Sequence, residues 1–401
     1  MKLLRKIACR TYQFFVKIGM AFMPWRQPVL LQGEGSFENV GSFLCDKKVH
    51  KLLVVCDRQA IERHALDGFF HKADLQYFVF DGVLPNPNVQ QVEEALSVYI
   101  ANECDGILAF GGGSVMDCAK AVGARVVQPQ KSVNQMRGLL KVRKKLPTFV
   151  AVPTTAGTGS ECTVAAVITD GETHDKYAIN DFALIPHYAV LDPLLTVGLP
   201  PFLTATTGMD ALTHAVEAYI GRSNTVATRK QAEQATKLIF ENIVLATQNG
   251  SNLQARANMQ KAAYLAGLAF TRAYVGNVHA LAHSLGGKYN IAHGLANAIL
   301  LPVVLKKYGK CVHKPLARLA KLVSVAEKTD SNAVAAEKFV DALFRLNKTL
   351  GIPDNFGGKI LTEDLRQLAH HAEREANPLY PVPQIWDVED FVQVYRKVQG
   401  Q

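Results

Sequence analysis

Four residues in the second half of the chain have the types and the spacing of a metal site. Asp210 and His214 stand four positions apart in the segment GMDALTHAVEAY, so on a helix their side chains project from one face. His279 and His293 follow in GNVHALAHSLGGKYNIAHG. Three imidazoles and one carboxylate suit a divalent metal, and the lack of thiolates among them is typical of an exchangeable, reactive site. The pattern therefore predicts metal-assisted chemistry.

A glycine-rich segment in the first half, GILAFGGGSVMDCAKAVGA, predicts a strand, a loop and a helix. Gly112 and Gly113 let the backbone approach a ligand closely, and the N–H groups at the helix start attract a phosphate. Ser114 adds a hydroxyl, and Asp117 is placed either to cap the helix or to hold a ribose. A purely structural turn fits the same glycines, and the dinucleotide fingerprint GxGxxG is absent.

A second polar loop, VPTTAGTGSE at 152–161, also follows a predicted strand. The hydroxyls of Thr154, Thr155 and Thr158 suit contacts to ribose and diphosphate, although a turn with capping threonines is the alternative. Two such loops at the carboxyl ends of strands in one sheet favour a nucleotide site. Asp57 ends the strand LLVVCD and can accept a hydrogen bond from a ribose 2′-hydroxyl while repelling a 2′-phosphate. This favours NAD over NADP, unless Asp57 is only a helix cap.

The arrangement of apolar segments predicts the fold class. Short apolar runs alternate with helical patterns up to about residue 198, which indicates an α/β domain with a parallel sheet. From residue 199 the segments are helical in pattern. We therefore predict a basic N-terminal extension at 1–26, an α/β dinucleotide-binding domain at 27–198 and an all-helical metal-binding and substrate domain at 199–401.

The charge of the chain is concentrated at its N-terminal end. The formal net charge is +9, but residues 1–26 hold six basic residues and no acidic ones, which leaves 38 basic against 35 acidic residues elsewhere. A nearly neutral body gives little support for nucleic-acid binding. The seven cysteines are scattered without a CxxC pair, which indicates free thiols in a reducing compartment such as the cytoplasm.

The residue pattern of the N-terminal extension predicts a basic amphipathic helix. Charged residues interrupt its apolar residues too often for the helix to span a membrane. It lacks the uninterrupted apolar run and the cleavage site of a signal peptide. Three interpretations stay open: an extra helix packed on the body or frayed, peripheral contact with an anionic membrane, and an organelle-targeting presequence.

The motifs together resemble one enzyme family. GGGSVMDCAK, PTTAGTGSE, LDP, GMDALTHAVEAY and HALAHSLG followed by HG occur in the order found in the iron-containing (group III) metal-dependent alcohol dehydrogenases. The match extends from about Gly33 to the pair Asn377–Pro378, and the basic extension is its clearest departure from the family. Each motif alone is modest evidence, whereas the ordered set is specific.

The resemblance implies an NAD(P)-dependent oxidoreductase that interconverts alcohols with aldehydes or ketones. It implies a Rossmann-like N-terminal domain and a helical C-terminal domain in a dehydroquinate synthase-like architecture, and we expect a homodimer. The family's metal ligands fall on Asp210, His214, His279 and His293, with Fe²⁺ favoured by family precedent and Zn²⁺ as the alternative. The family's cofactor contacts fall on Asp57, Gly112, Gly113, Ser114, Asp117, Thr154, Thr155, Thr158 and Lys176.

The expected chemistry is hydride transfer between a carbinol carbon and the nicotinamide, with the metal as Lewis acid on the alcohol oxygen. The resemblance places His283 near the nicotinamide and not among the ligands, where it either handles the proton or only packs the cofactor. Phe270 and Tyr274 are candidates to line the substrate pocket, with plain helix packing as the alternative.

The sequence is also compatible with other functions. Enzymes of lactaldehyde or diol, glycerol or maleylacetate type share the scaffold, and a dehydroquinate synthase-like lyase fits the motifs less well. The alternative from a different class is a non-catalytic nucleotide- and metal-binding protein attached to a membrane.

Overall fold

The computed structural model describes residues 2–64, 75–171 and 176–400, which divide into two compact units. The α/β unit comprises Pro24–Leu199 and Gly250–Tyr264, and the helical unit comprises Met1–Met23, Pro200–Asn249 and Leu265–Gln401. This division differs in two places from boundaries drawn at residues 27 and 199. The N-terminal extension groups with the helical unit up to Met23, and a segment beyond residue 249 groups with the α/β unit.

The strands of the described residues all lie before residue 192. They are β1 (Val29–Gln32), β2 (Lys51–Cys56), β3 (Gln76–Phe80), β4 (Gly106–Gly111), β5 (Gly138–Leu139), β6 (Thr148–Pro153), β7 (Ala165–Thr169), β8 (Lys176–Asn180) and β9 (Tyr188–Leu191). The main sheet has the order β1-β9-β6-β4-β2-β3, and its pairs are parallel. The predicted parallel sheet is therefore confirmed.

The α-helices of the described residues follow in chain order. They are α1 (Lys2–Ala21), α2 (Val40–Asp46), α3 (Arg58–His64), α4 (Val89–Ala101), α5 (Gly113–Val127), α6 (Pro201–Ile220), α7 (Val226–Gln248), α8 (Leu253–Ala273), α9 (Asn277–Tyr289), α10 (His293–Tyr308), α11 (His313–Leu322), α12 (Asn332–Thr349), α13 (Leu365–Ala376) and α14 (Val388–Val398). No helix within the described ranges combines the length and the apolar character needed to cross a bilayer.

The inner strands are apolar throughout because both faces of the sheet are covered. Along β2, Leu53 and Val55 belong to a core cluster that includes residues of α4 and α5. Leu52, Val54 and Cys56 point to the opposite face and pack in a second cluster with residues of α2. Alternate residues of one strand thus contribute to two cores, which explains the uninterrupted apolar runs in the sequence.

A smaller sheet beside the main one was not predicted. Strands β7 and β8 pair antiparallel, and β5 adds to β8 in parallel. The α/β unit therefore contains an antiparallel pair in addition to its parallel sheet. Beyond residue 199 the described residues contain helices and no strands, as predicted.

Candidate active site

The four predicted ligands come together in the helical unit. Asp210 and His214 lie on α6, His279 lies on α9, and His293 is the first residue of α10. One ligand atom from each lies within 4.8 Å of the others, and all but the half-buried His293 are almost inaccessible to solvent. Asp210 and His293 are 83 residues apart in the sequence, and the packing of α10 against α6 and α9 brings them together.

The separations between the ligand atoms fit a common metal ion. Oδ1 of Asp210 lies 3.4 Å from Nε2 of His293 and 3.9 Å from Nε2 of His279. Oδ2 of Asp210 lies 4.0 Å from Nδ1 of His214. Ligand atoms bonded at about 2.1 Å to one tetrahedral ion stand roughly 3.4 Å apart. A buried set of three imidazoles and one carboxylate at these distances has the composition and the size that a divalent transition metal requires.

A glycine lets α10 approach α6 at the position of His293. A Cβ atom on Gly294 would lie 2.5 Å from the carbonyl oxygen of Thr206, on α6. Such a contact with a backbone atom cannot be relieved by a side-chain rotation. The glycine after His293 is therefore required for the close packing that brings this histidine to Asp210.

Glu217 is a buried carboxylate beside the cluster that the sequence did not single out. Its Oε2 lies 2.6 Å from Nδ1 of His279, and its two oxygens accept hydrogen bonds from the backbone N–H groups of Gly276 and Val278, each at 2.8 Å. Burial raises the pKa of Glu217 to about 7, against the effect of these hydrogen bonds. Because Glu217 engages Nδ1, the Nε2 of His279 is directed to the cluster.

The imidazole of His279 is in an environment that disfavours its charged form. Burial, and then the neighbouring histidines, lower its pKa well below the ordinary value. A neutral imidazole is the form that ligates a metal. The environment of His279 therefore suits ligation.

Asn297 is a second residue of this region that the sequence did not indicate. Its Nδ2 donates to Oδ1 of Asp210 at 2.7 Å and lies 3.3 Å and 3.1 Å from Nε2 of His279 and of His293. It stands four residues after His293 on α10, so both side chains project from one face of that helix. A buried amide thus contacts three of the four clustered residues.

His283 lies beside the cluster and outside the group of four. Its ring stacks on that of His293, with centroids 5.1 Å apart, and its Nδ1 lies 2.6 Å from Oε1 of Glu375. The hydroxyl of Tyr380 donates to the same carboxylate oxygen at 2.7 Å. Glu375 and Tyr380, neither of which the sequence indicated, therefore fix the orientation of the His283 ring.

The two aromatic candidates for the substrate pocket differ in their contacts. The ring of Phe270 stacks on His214 with a centroid separation of 4.2 Å. Tyr274 has a left-handed backbone conformation with φ of 66°, and its N–H donates to the carbonyl of Phe270. Burial raises the pKa of Tyr274 to about 12. Phe270 is thus in contact with the cluster, whereas a pocket role for Tyr274 stays a prediction.

The two polar loops of the α/β unit meet at the carboxyl ends of neighbouring strands. Gly111 pairs with Pro153 at the end of the β4–β6 ladder, so the residues that follow are adjacent. A Cβ on Gly112 would lie 3.4 Å from Oγ1 of Thr155, and a Cβ on Gly113 would lie 2.6 Å from Cγ2 of Thr158. The glycines therefore permit contact between the loops, and Gly113 begins α5, whose N-terminal N–H groups favour an anion.

Two more of the predicted cofactor residues, Thr154 and Asp57, directly follow the strands β6 and β2. Thr154 is buried, and its N–H donates to the carbonyl of Gly111. Asp57 follows β2, and its Oδ1 accepts a hydrogen bond from the N–H of Ala60, so the capping interpretation is correct for that oxygen. Oδ2 of Asp57 would lie 3.2 Å from a Cβ on Gly111, which places this carboxylate beside the glycine loop.

Lys176 and Ser114 are linked by a residue that the sequence did not indicate. Nζ of Lys176 donates to Oδ1 of Asn86 at 2.8 Å, and the N–H of Asn86 donates to Oγ of Ser114 at 3.3 Å. Asn86 has a φ of 60°, a conformation that asparagine tolerates better than most residues. These two hydrogen bonds link the first residue of β8 to the first turn of α5 through Asn86.

Asp117 belongs to a buried polar network that includes Ser160 and Lys120. Its oxygens accept hydrogen bonds from Oγ of Ser160 and the N–H of Val167, and Nζ of the fully buried Lys120 donates to Ser160. Burial raises the pKa of Asp117 to about 6 and lowers that of Lys120 to about 8. Asp117 does not cap α5, because Gly112 is at the N-cap position, so that alternative is wrong. Its contact with a ribose stays a prediction.

Comparison with known proteins gives matches over nearly the whole chain. The family model described as iron-containing alcohol dehydrogenase matches residues 28–193, and that described as Fe-containing alcohol dehydrogenase family, C-terminal, matches residues 204–399. The 1,3-propanediol dehydrogenase of Klebsiella pneumoniae is 39% identical over 86% of this chain and 91% of its own length. The NAD-dependent methanol dehydrogenase of Bacillus methanolicus is 35% identical over 92% of this chain and 97% of its own.

A solved structure gives the same result for the fold. The crystal structure of a 1,3-propanediol oxidoreductase aligns with a TM-score of 0.90 at 37% identity, covering 94% of this chain and all of the other. The matched ranges of the two family models begin at residue 28, so α1 lies outside them.

Proposed function

Because the chain belongs to the iron-containing alcohol dehydrogenase family, we propose that Asp210, His214, His279 and His293 hold its divalent metal. The protein is an NAD(P)-dependent oxidoreductase that interconverts alcohols with aldehydes or ketones. The single observation that carries the site assignment is the convergence of these four donors, within 4.8 Å of one another, in a buried part of the helical unit.

When bound, Fe²⁺, or Zn²⁺ in its place, supplies Lewis-acid polarisation of the substrate oxygen. The side chains of this chain orient that site and supply part of its charge. Asp210 contributes the negative charge, and its Oδ1 is held by the amide of Asn297. Glu217 fixes the tautomer and the ring orientation of His279, which keeps Nε2 directed inward.

We assign proton handling to His283 on the basis of its position. Its ring stacks on that of His293, one of the proposed ligands, and its Nδ1 is engaged by Glu375. Tyr380 donates to the same carboxylate and restrains it. His283→Asn should lower kcat about 100-fold while the metal content stays at the wild-type level. Loss of metal in this variant would instead assign His283 to the coordination of the ion.

NAD is the proposed cofactor of the α/β unit. The adjacent loops support this, because Gly112 and Gly113 allow a diphosphate to approach the N-terminus of α5. Hydroxyl groups at the same edge of the sheet come from Ser114, Thr155 and Thr158. The other two proposed contacts are the buried Thr154 and Lys176, which donates to Asn86. Asp57 is the proposed acceptor for the ribose 2′-hydroxyl, which disfavours NADP.

Short primary alcohols and the matching aldehydes are the proposed substrates. The support is the similarity to the Bacillus methanolicus methanol dehydrogenase, together with the apolar Phe270 stacked on a proposed ligand. A 1,3-diol is the second candidate, favoured by the 39% identity to the Klebsiella pneumoniae 1,3-propanediol dehydrogenase.

One experiment tests the metal assignment and the substrate class together. The purified chain is assayed by nicotinamide absorbance with a panel of alcohols, diols and aldehydes, and its metal is measured by elemental analysis on the same sample. His279→Ala should lose metal and turnover together, whereas His371→Ala, at an exposed position of α13, should lose neither. Wild-type turnover in His279→Ala would contradict the site.

The oligomeric state and the cellular location of the enzyme can also be proposed. We propose a homodimer in the cytoplasm, in peripheral contact with a membrane through residues 1–26. The family resemblance and the scattered cysteines support the first two, and the charge of the extension supports the third. Light scattering on the eluted protein tests the dimer, and fractionation of cells tests the location.

A further inference from the structure

The helix α1 exposes its apolar side to solvent. We define the outer face of α1 as six of its side chains and that of Phe22, which follows the helix, each between 43% and 83% exposed: Leu3, Leu4, Ile7, Phe14, Phe15, Ile18 and Phe22. With 3.6 residues per turn these positions cover about a third of the helix circumference. A continuous exposed patch of Leu, Ile and Phe is uncommon on a globular protein and indicates an interaction site.

The opposite side of α1 is attached to the helical unit by polar contacts. Gln13 is buried, and its Nε2 donates to the carbonyl oxygens of Pro378 at 3.1 Å and Tyr380 at 2.7 Å. Arg10 donates to the carbonyls of Val382 at 2.8 Å and Pro383 at 3.0 Å. These hydrogen bonds fix the rotation of the helix about its axis, so the outer face is directed away from the unit that anchors it.

Further contacts at both ends hold the helix against the same unit. Nη1 of Arg5 lies 2.5 Å from Oε1 of Glu373, and Nζ of Lys17 donates to the carbonyl of Arg222 at 3.0 Å. Cys9 is buried between these positions. α1 is therefore held against the helical unit near both of its ends, and its apolar side is exposed.

The charge around the outer face identifies the kind of partner that fits it. Residues 1–26 carry six positive charges and no negative ones. Arg5 pairs with Glu373, whereas Lys6 and Lys17 are exposed, each next in sequence to a residue of the outer face. Basic groups that flank an exposed apolar strip fit a surface that is negatively charged outside and apolar beneath. The interface of an anionic phospholipid bilayer has this composition.

A second copy of the chain fits the outer face less well. A two-fold contact places the same patch on both subunits, so two segments that each carry exposed basic residues and no acidic ones would come together. Like charges in one interface oppose association, whereas the same charges favour an anionic lipid surface.

We propose that the outer face of α1 inserts into the interface of anionic bilayers and holds this enzyme at the membrane surface. The inference gives the membrane contact proposed above a lipid class and an orientation, and it does not depend on the catalytic roles. The helix lies in the plane of the interface, with Phe14 and Ile18 at the centre of the inserted strip and the helical unit on the aqueous side.

Vesicle flotation of the full chain tests the proposal. The wild type should float with phosphatidylcholine vesicles that contain phosphatidylglycerol and not with phosphatidylcholine alone, and high salt should weaken the binding. The double variant Phe14→Ser/Ile18→Ser should bind anionic vesicles at least about tenfold less tightly. The matched control Val226→Ser/Leu361→Ser, also at exposed apolar positions, should bind like the wild type.

Other outcomes separate the alternatives. Turnover of a soluble alcohol by Phe14→Ser/Ile18→Ser at the wild-type rate would show that the variant is folded, and Lys6→Glu tests the same surface through charge alone. Absence of wild-type binding, or equal binding of the double variant, would overturn the proposal. A smaller oligomer in the double variant with unchanged vesicle binding would also overturn it, because the outer face would then contact a second copy.

Discussion

The Nδ1 atom of His279 lies 2.6 Å from Oε2 of Glu217, a carboxylate that also accepts two backbone hydrogen bonds. Three N–H groups therefore converge on one buried acid. Both side chains are buried, so solvent does not replace any of these contacts. The relationship makes the position of a proposed ligand depend on a residue that is not itself a ligand.

Glu217→Gln should weaken metal binding about 10- to 100-fold. An amide has one acceptor oxygen where the carboxylate has two, so an N–H of the glutamine will face one of the three donors. We expect the His279 ring to lose its fixed orientation as a result. Elemental analysis after dialysis against a graded series of chelator concentrations measures the change.

The exposed Glu241 provides a matched control for this prediction. Glu241→Gln, on α7, removes one carboxylate at a solvated position that is 54% exposed and should leave metal retention unchanged. Equal metal retention by Glu217→Gln and Glu241→Gln would show that Glu217 does not support the site.

Gly113→Ala should raise the KM for NAD by about tenfold or more. The added Cβ would lie 2.6 Å from Cγ2 of Thr158, so the two cofactor loops must separate. Steady-state kinetics with NAD as the varied substrate measures the effect. Gly287→Ala is the control, because a Cβ at that position meets nothing within 4 Å.

Relief of the contact provides a stricter test of this steric cause. Thr158→Ser removes Cγ2 but keeps the hydroxyl that accepts a hydrogen bond from the N–H of Ser160 at 3.2 Å. The double variant Gly113→Ala/Thr158→Ser should therefore regain part of the lost affinity, relative to Thr158→Ser alone, because the contacts with Oγ1 and Cβ at 3.1 and 3.2 Å remain. If the two substitutions act additively, the loops are not coupled through this contact.

Asp57→Ser should shift the cofactor preference towards NADP, with about a tenfold rise in the ratio of kcat/KM for NADP to that for NAD. Serine keeps an oxygen that can accept the hydrogen bond from Ala60, so the start of α3 is preserved while the negative charge is lost. Asp57→Asn is the companion variant, because it removes the charge and keeps the length of the side chain. An unchanged ratio in both variants would place the ribose elsewhere.

The parts of the fold that could be predicted are those with local signals. The inner strands β2, β4 and β6 are apolar runs because they are covered on both faces, and the pair Asp210 and His214 is visible at helical spacing. The antiparallel pairing of β7 with β8 has no such signal, because β7 is an apolar run like the inner strands and β8 alternates half-buried and buried residues.

The residues that support the site could not be predicted from the sequence, because only tertiary contacts bring them next to the proposed ligands. Glu217 reaches His279 across 62 positions and Asn297 reaches Asp210 across 87. Glutamate and asparagine are common on helices, and their types alone carry no signal. The rotation of α1 was equally inaccessible, since it depends on backbone carbonyls near residue 380 that accept hydrogen bonds from Gln13 and Arg10.

The buried Glu161 of the second loop predicts a pH-dependent stability. Burial raises its pKa from 4.5 to about 7, partly opposed by Lys120. Between these values the folded chain holds more protons than the unfolded chain, so this group makes the free energy of unfolding fall as the pH rises. The loss is complete above about pH 7 and amounts to at most about 3 kcal/mol.

Glu161→Gln stays neutral and should not show this loss. The difference in unfolding free energy, variant minus wild type, should therefore become more positive between about pH 5 and about pH 8, as measured by urea unfolding followed by circular dichroism. Because Lys120 is attracted to the ionised carboxylate, the gain should be larger in a Lys120→Met background. A difference that is constant with pH would show that Glu161 is ionised at a lower pH than its burial indicates.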